Sequence, residues 1–520
     1  MPSSTPAPVE EEETRPTNVG LLFAALMVTM LLASLNQTVL ATALPTMVGE
    51  LHGVDQMTWV ISGYILASTI MMPIYGRISD QLGRKPVLIS AIAVFMIGSI
   101  LGAVAQDMSV LIVARVVQGL GAGGLMILSQ AAIADVVPAR ERGRYMGAMG
   151  AVFAVSSVAG PLLGGWFTEG PGWRWAFWIN LPLGALAITA VSVFLHLPSR
   201  RHDTRPRLDY LGMALLAGAT TALVLASTWG GSTYDWASPQ ILGLIAAFLV
   251  LGAVFVWAES RASSPVIPLS LFRERNFVLT ATASLAVGVM MFGTIGYMPT
   301  YLQMVTGVDA TEAGLLMIPM MGGLLVASVV SGQMVSRSGR YKVFPLTGSV
   351  VMAIGLVLIS TLTVETSLVV LCAYICLFGL GIGMSMQILT LIVQNTFPNA
   401  IVGTATAANN YFRQVGATLG SAVVGSVFAS RLTNELVAKF SAAGGVPEGT
   451  SINSLTPAGV NALPEAVRTV IVHAYNHALM PIFAFLVPLA VVALVALVFL
   501  KEVPLATSVN AHEPVAKPAD

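Results

Sequence analysis

Polar and apolar residues do not alternate along this chain. Apolar residues run nearly unbroken for about twenty positions or more, and they do so fourteen times. The runs fall at about 20–44, 57–78, 86–106, 109–135, 144–167, 174–197, 209–228, 239–259, 276–302, 312–335, 343–363, 367–394, 402–430 and 471–500. A helix of roughly 20 mostly apolar residues crosses the hydrocarbon of a bilayer, so the pattern predicts fourteen membrane spans. The connections are short except for 431–470, a Ser/Ala/Pro-rich outer loop to which no role is assigned. Residues 1–17, with Glu10 to Glu13, read as a disordered tail, and 501–520 as a second tail. A cleaved signal peptide is not expected, because no basic segment precedes a short apolar core and a small-residue cleavage site.

Charge sets the orientation. Lys and Arg concentrate in alternate loops: Arg77, Arg84 and Lys85; Arg140, Arg142 and Arg144; Arg200, Arg201, Arg205 and Arg207; Arg261, Arg273 and Arg275; Arg337, Arg340 and Lys342. With Arg15, Lys501 and Lys517 in the tails, one side carries nineteen cations and the other four. Cytoplasmic loops hold the excess of cations, so both tails are expected in the cytoplasm of a chain in the cytoplasmic (inner) membrane. The composition agrees: of 520 residues 56% are hydrophobic and 10% charged, mean hydropathy is +0.81, and cations balance anions at 25 each. Such a chain is neither a soluble enzyme nor a basic nucleic-acid binder. Two cysteines exclude a disulfide scaffold or a Cys-rich metal site. His473 and His477 are four apart, but no third ligand completes a metal set, so no metal is expected.

The chain also repeats itself. Gly119-Leu-Gly-Ala-Gly123 returns as Gly379-Leu-Gly-Ile-Gly383, and the same offset carries Asp135 onto Asn395, Pro138 onto Pro398, Gly143 onto Gly403 and Gly160 onto Gly420. Gly76 and Gly83-Arg84 return as Gly332 and Gly339-Arg340. Spans 1–6 and 9–14 are therefore two related six-helix units, at 18–200 and 263–500, with spans 7 and 8 inserted between them at 201–262. Parallel repeats of this kind are a transporter architecture, with the substrate path between the halves.

Four local patterns carry a family resemblance. They are Gly76-Arg-Ile-Ser-Asp80-Gln-Leu-Gly83-Arg84-Lys85 after span 2, Arg115-Val-Val-Gln118-Gly119-Leu-Gly121 in span 4, Gly160-Pro161-Leu-Leu-Gly164-Gly165 in span 5, and Trp173-Arg174-Trp175 leading to Asn180-Leu-Pro182 in span 6. Together, over about residues 18–500, the chain resembles the fourteen-span drug:proton antiporters of the major facilitator superfamily. The resemblance implies an all-α membrane protein with the major facilitator fold, two six-helix bundles plus an inserted two-helix hairpin. It implies export of hydrophobic or amphipathic small molecules by proton antiport and alternating access. A proton gradient would stand in place of any cofactor, with no enzymatic activity, no nucleic acid and a functional monomer. By resemblance Asp80, Arg84 and Lys85, with Asp135 and Arg144, form a cytoplasmic latch between the halves, the plain alternative being a basic loop that only sets topology. Ser336 stands where Asp80 recurs in the repeat, so the latch is expected to be asymmetric. The span-5 glycines are the antiporter motif by resemblance, or close helix packing on bare physical grounds. Gly119-Leu-Gly121-Ala-Gly-Gly124 also fits a dinucleotide fingerprint, but inside an apolar span it lacks the strand and helix start that this reading needs.

A charge within the hydrocarbon costs about 2.5–3.5 kcal/mol on insertion scales and marks function. Arg115 lies about five residues past the outer end of span 4. Asn36, entered from the other side, reaches a similar depth of roughly 7–8 Å at 1.5 Å per residue, so the two are expected to face each other. The related antiporters carry aspartate where Asn36 stands. There the carboxylate is the proposed proton-binding group and the span-4 arginine tunes its acidity. An amide has nearly the same shape and does not titrate. Three accounts stay open: an engineered mimic of protonated aspartate, a natural change that abolished or moved proton coupling, or coupling through another carboxylate such as Asp135. Arg413 in span 13 is read as part of a polar network or gate, with snorkelling toward the interface as its bland alternative. Gln118, Gln130, Gln387 and Asn409 are candidates for the substrate cavity or for helix-to-helix bonds, and Met126 and Met384 for an adaptable apolar wall or plain packing.

Overall fold

A helix satisfies every backbone polar group within its own segment, and an apolar run in lipid has no other way to do so. The computed structural model describes residues 19–53, 56–195, 208–231, 233–442, 459–460 and 463–507. Among them fourteen helices are long and apolar enough to span a membrane. We number them α1 (Val19–Glu50), α2 (Met57–Leu82), α3 (Arg84–Ala103), α4 (Met108–Val136), α5 (Ala139–Glu169), α6 (Trp175–Phe194) and α7 (Tyr210–Trp229). The rest are α8 (Pro239–Glu259), α9 (Arg275–Thr306), α10 (Thr311–Ser338), α11 (Val343–Ser360), α12 (Leu368–Thr396), α13 (Val402–Ala442) and α14 (Glu465–Val498). Side chains of Asp107, Asp209, Ser238 and Ser367 accept the free amides at the starts of α4, α7, α8 and α12. Gly83 at φ +91° and Gly339 at φ +74° make the tight turns after α2 and α10. The expected loop at 431–470 is corrected at its start, because α13 continues as helix through Ala442. The N-terminal tail, Arg200 to Arg207 and residues 443–458 lie outside the described residues.

Helices α1–α6 and α9–α14 form two bundles; two apolar clusters lie in the first, and a larger one fills the second and reaches Ala139 and Ala154 of α5. They meet along two seams, α2 against α13 and α5 against α10. The repeated glycines meet crosswise at these seams. A Cβ on Gly76 would lie 2.9 Å from the carbonyl oxygen of Gly403 and 2.4 Å from Ala407 Cβ, and one on Gly332 would lie 2.2 Å from the carbonyl oxygen of Gly143. Within the bundles the repeat is equally literal. A Cβ on Gly119 of α4 would lie 2.5 Å from the Tyr64 carbonyl oxygen of α2, and one on Gly379 of α12 would lie 2.1 Å from the Met320 carbonyl oxygen of α10.

The inserted pair stands outside this symmetry. Helix α7 packs on α2 and α13, across one seam, while α8 packs mainly on α7. The outer surface of α8 leaves Leu242, Leu249 and Val250 exposed, which suits contact with lipid. After α14 the chain runs as a strap beneath the C-terminal bundle. Asn276 exchanges two hydrogen bonds with the Lys501 backbone, the Glu502 carboxylate accepts from the Tyr341 and Lys342 amides, and the Arg140 amide of the N-terminal half donates to the Ala506 carbonyl at 3.0 Å.

A side chain at Gly379 must push α12 away from α10. Gly379→Leu is expected to lower stability by about 1–3 kcal/mol or more, read as the melting temperature of the purified protein. Gly165→Ala, whose Cβ would meet nothing within 4 Å, is expected to leave it unchanged. Equal melting of the two variants would contradict the close α10–α12 approach.

Candidate functional site

Arg115 on α4 is buried within the N-terminal bundle, 3% exposed. Its Nη1 donates to Asn36 Oδ1 and to Gln118 Oε1, both at 2.8 Å, and its Nε donates to the Val60 carbonyl at 3.2 Å. The guanidinium lies 4.0 Å from the ring centre of Tyr64. The chain of bonds continues from Gln118 to Ser99 at 2.8 Å and from Asn180 to Ser99 at 3.2 Å, so α1, α4, α3 and α6 share one polar thread. The structure thus brings Asn36 and Arg115 into contact. Amide and carbonyl oxygens and one aromatic face surround the cation, and Asn36 Nδ2 is buried with no hydrogen-bond partner. An aspartate here would bring a carboxylate against the same guanidinium. Gln118 serves this thread, accepting from Arg115 and donating to Ser99.

The second cluster closes the face that carries the basic loops. Asp80, at the end of α2, reaches across the seam to the first turn of α13. It accepts from the Gly403 amide at 3.2 Å, the Thr404 amide at 2.7 Å and the Thr404 hydroxyl at 2.5 Å. A carboxylate at a helix N-terminus satisfies free amides and meets the positive end of the helix dipole. Arg84 holds it there, with Nη2 2.5 Å from Asp80 and Nε 3.0 Å from Asp135. Gly83 and the bare faces of Gly76 and Gly403 make this reach possible; a Cβ on Gly403 would run into the Arg84 guanidinium at 2.1 Å. At the other seam Ser336 occupies the equivalent place, and its hydroxyl accepts from the Arg144 amide at 3.0 Å. The carboxylate clasp is therefore built on one side only; on the other a hydroxyl takes its place, and the Arg140 guanidinium donates to the Arg337 carbonyl at 3.2 Å.

Some expected members take different places. Arg144 contributes its backbone amide; its side chain is about half exposed and pairs with Glu141 at 3.6 Å. The buried cation of that loop is Arg142, which donates to Val137 and Ala134 carbonyls and, across the halves, to the Gln394 carbonyl at 3.3 Å. Lys85 donates to the Ser192 carbonyl within its own half at 2.7 Å. Gly160 and Gly164 press α5 onto Thr38 and Val39 of α1, with Pro161 continuing the helix, whereas Gly165 faces open space.

Between the halves lies a chamber of about 90 Å³ lined by Tyr64, Met126, Phe292, Met386, Asn410 and Arg413, among others. Arg413 donates to Asn410, which bonds Gln130 of the opposite half at 3.0 Å. Of the cavity candidates, Met126 and Arg413 line this space. Gln130 ties the halves together beneath it, Asn409 accepts from Ser284 at 2.8 Å as a helix-to-helix bond, and Met384 packs toward Gly348. Gln387 is buried with an unpartnered Oε1 and does not border the chamber. The residues that the sequence reading missed are Gln37 and Gln414, the immediate neighbours of Asn36 and Arg413. Both border this chamber and a larger cavity of about 430 Å³ beyond it. The path is closed at the basic face and widens toward the far one.

The model of the Major Facilitator Superfamily matches residues 26–421. The chain is 40% identical over 490 residues to an uncharacterized MFS-type transporter of Mycobacterium tuberculosis, covering 94% of this chain and 70% of that one. It is 36% identical to the multidrug transporter protein MdtP of Bacillus subtilis (82% and 79% covered) and 32% identical to multidrug resistance protein 3 of the same organism (94% and 96%). Among solved structures, the human organic anion transporter MFSD10 superposes with a TM-score of 0.63 at 14% identity, covering 93% of this chain and 100% of that one. The proton:xylose symporter XylE superposes at 0.61 and 15% identity, covering 95% and 98%. This is a family of transporters and not of enzymes, and the chain belongs to it: a member of the major facilitator superfamily, with fourteen candidate membrane helices among its described residues, whose relatives include proteins named for multidrug transport.

Proposed function

We propose that this chain exports hydrophobic and amphipathic small molecules across the cytoplasmic membrane, by alternating access and at the expense of a proton gradient. The observation that carries the reading is the path between the halves. It is sealed at the face with the cationic loops and opens at the other through adaptable walls of Met, Phe and Tyr. With the basic loops in the cytoplasm, this is the outward-facing state, and the relatives named for multidrug transport support the choice of cargo. To turn inward, the halves must part at the basic face. Asp80 then leaves the α13 amides, Arg142 leaves the Gln394 carbonyl and Arg140 leaves Ala506. The clasp is a gate held by charge and by helix-end amides.

Asn36 favours a second reading of the energetics. A non-titrating amide beside Arg115 suits an uncoupled exporter of the same fold, or coupling through another carboxylate. Reconstituted vesicles separate these. The uncoupled reading expects Asn36→Asp to gain substrate-dependent proton movement that the native chain lacks. Equal coupling in both would move the proton to another carboxylate, such as Asp135.

The gate makes its own prediction. Arg84→Ala leaves two carboxylates without their shared cation, and removing one partner of a buried ion pair costs about 3–5 kcal/mol. A cysteine at the buried Thr406 is expected to react with maleimide faster in the Arg84→Ala background, as the basic face opens. An unchanged rate would remove the clasp from the transport cycle.

A further inference from the structure

The larger cavity has a wall that neither six-helix bundle supplies. Ser62 of α2, Phe292 of α9 and Thr418 of α13 bound three sides, and Val224, Ser227 and Thr228 of the inserted helix α7 bound the fourth. The turn after α7 is fastened to both halves. Trp229 meets Trp59 of α2 edge-on at 5.7 Å, and Trp236 donates its indole N–H to Ser426 of α13 at 2.5 Å. The outer end of α7 is therefore held in place as part of the path. The cavity adjoins the inner chamber, since Gln37, Ile65, Phe292 and Gln414 border both.

We propose that this cavity is a substrate subsite, walled by the outer end of the inserted helix, that takes uncharged amphipathic molecules on their way out. Its volume of about 430 Å³ lies within the roughly 300–1,000 Å³ of small-molecule sites. No Asp, Glu, Lys, Arg or His is among its lining residues, so a desolvated ion finds no counter-charge there. Amides of Gln37 and Gln414 and hydroxyls of Ser62, Ser227 and Thr418 offer hydrogen bonds beside Ile61, Ile65 and Phe292. That mixture fits a molecule with an apolar body and a neutral polar end. The inserted helix α7 thus helps select the cargo.

The inference rests on the export reading, and one experiment separates the two. The uncharged fluorophore N-phenyl-1-naphthylamine is titrated against the purified full-length protein, and export of ethidium, a cation, is followed in vesicles. Ser227→Phe fills the cavity from α7 and Ala422→Trp fills it from α13. Each is expected to weaken naphthylamine binding by at least about tenfold while ethidium export continues. Leu249→Phe on the exposed face of α8 is expected to change neither. The second filling variant guards against misfolding of the first. Native affinity for the fluorophore in both filled variants, or no binding by the native chain, overturns the subsite. Sensitivity to the filling substitutions without export of any compound leaves the subsite standing and overturns the export reading.

Discussion

Everything in this fold depends on how closely two backbones can approach where no side chain separates them. Lipid gives apolar helices no hydrophobic reason to associate, so packing distance and polar bonds must hold them. Here the contact is made by glycines that the repeat has copied and that meet crosswise at the two seams, Gly76 with Gly403 and Gly332 with Gly143. Asp80 reaches the α13 amides because α2 can lie against α13 at Gly76. A bulkier seam would break the clasp before any charge was removed.

The two seams are built alike and held unequally. At α2/α13 a carboxylate, a guanidinium and a helix N-terminus act together; at α5/α10 a single hydroxyl takes the carboxylate's place. Charge-assisted bonds are about twice as strong as neutral ones. The halves are therefore joined by a buried ion pair and helix-end amides at one edge, and at the other by close helix packing with hydroxyl and guanidinium bonds to the backbone. The inserted helix α7 lies over the ionic seam, with its far end fastened to both halves.

Much of this was readable from the residues. Run length predicted fourteen spans, the glycine spacing predicted the two related halves, and rise per residue brought Asn36 and Arg115 to one depth. Side-chain direction was not readable. Arg142 and Arg144 are two residues apart in a basic loop, and only the helix phase of α5 buries one and exposes the other. Gln37 and Gln414 were passed over for their more conspicuous neighbours, although adjacent positions on a helix face different ways. A contribution of α7 to the path had no signal in the chain, because an inserted pair has no counterpart in the repeat against which to compare it.

The strap after α14 reaches the N-terminal half through a bond between main-chain atoms, the Arg140 amide and the Ala506 carbonyl. Such a link is blind to side-chain identity. Drift at position 506 can pass through many residue types without weakening it, and an inventory of polar side chains at the gate would overlook it. Proline at position 140 would abolish the bond, because proline has no amide hydrogen to give. Part of what joins the two halves is thus written in the course of the backbone alone, where residue-by-residue comparison of relatives has nothing to detect.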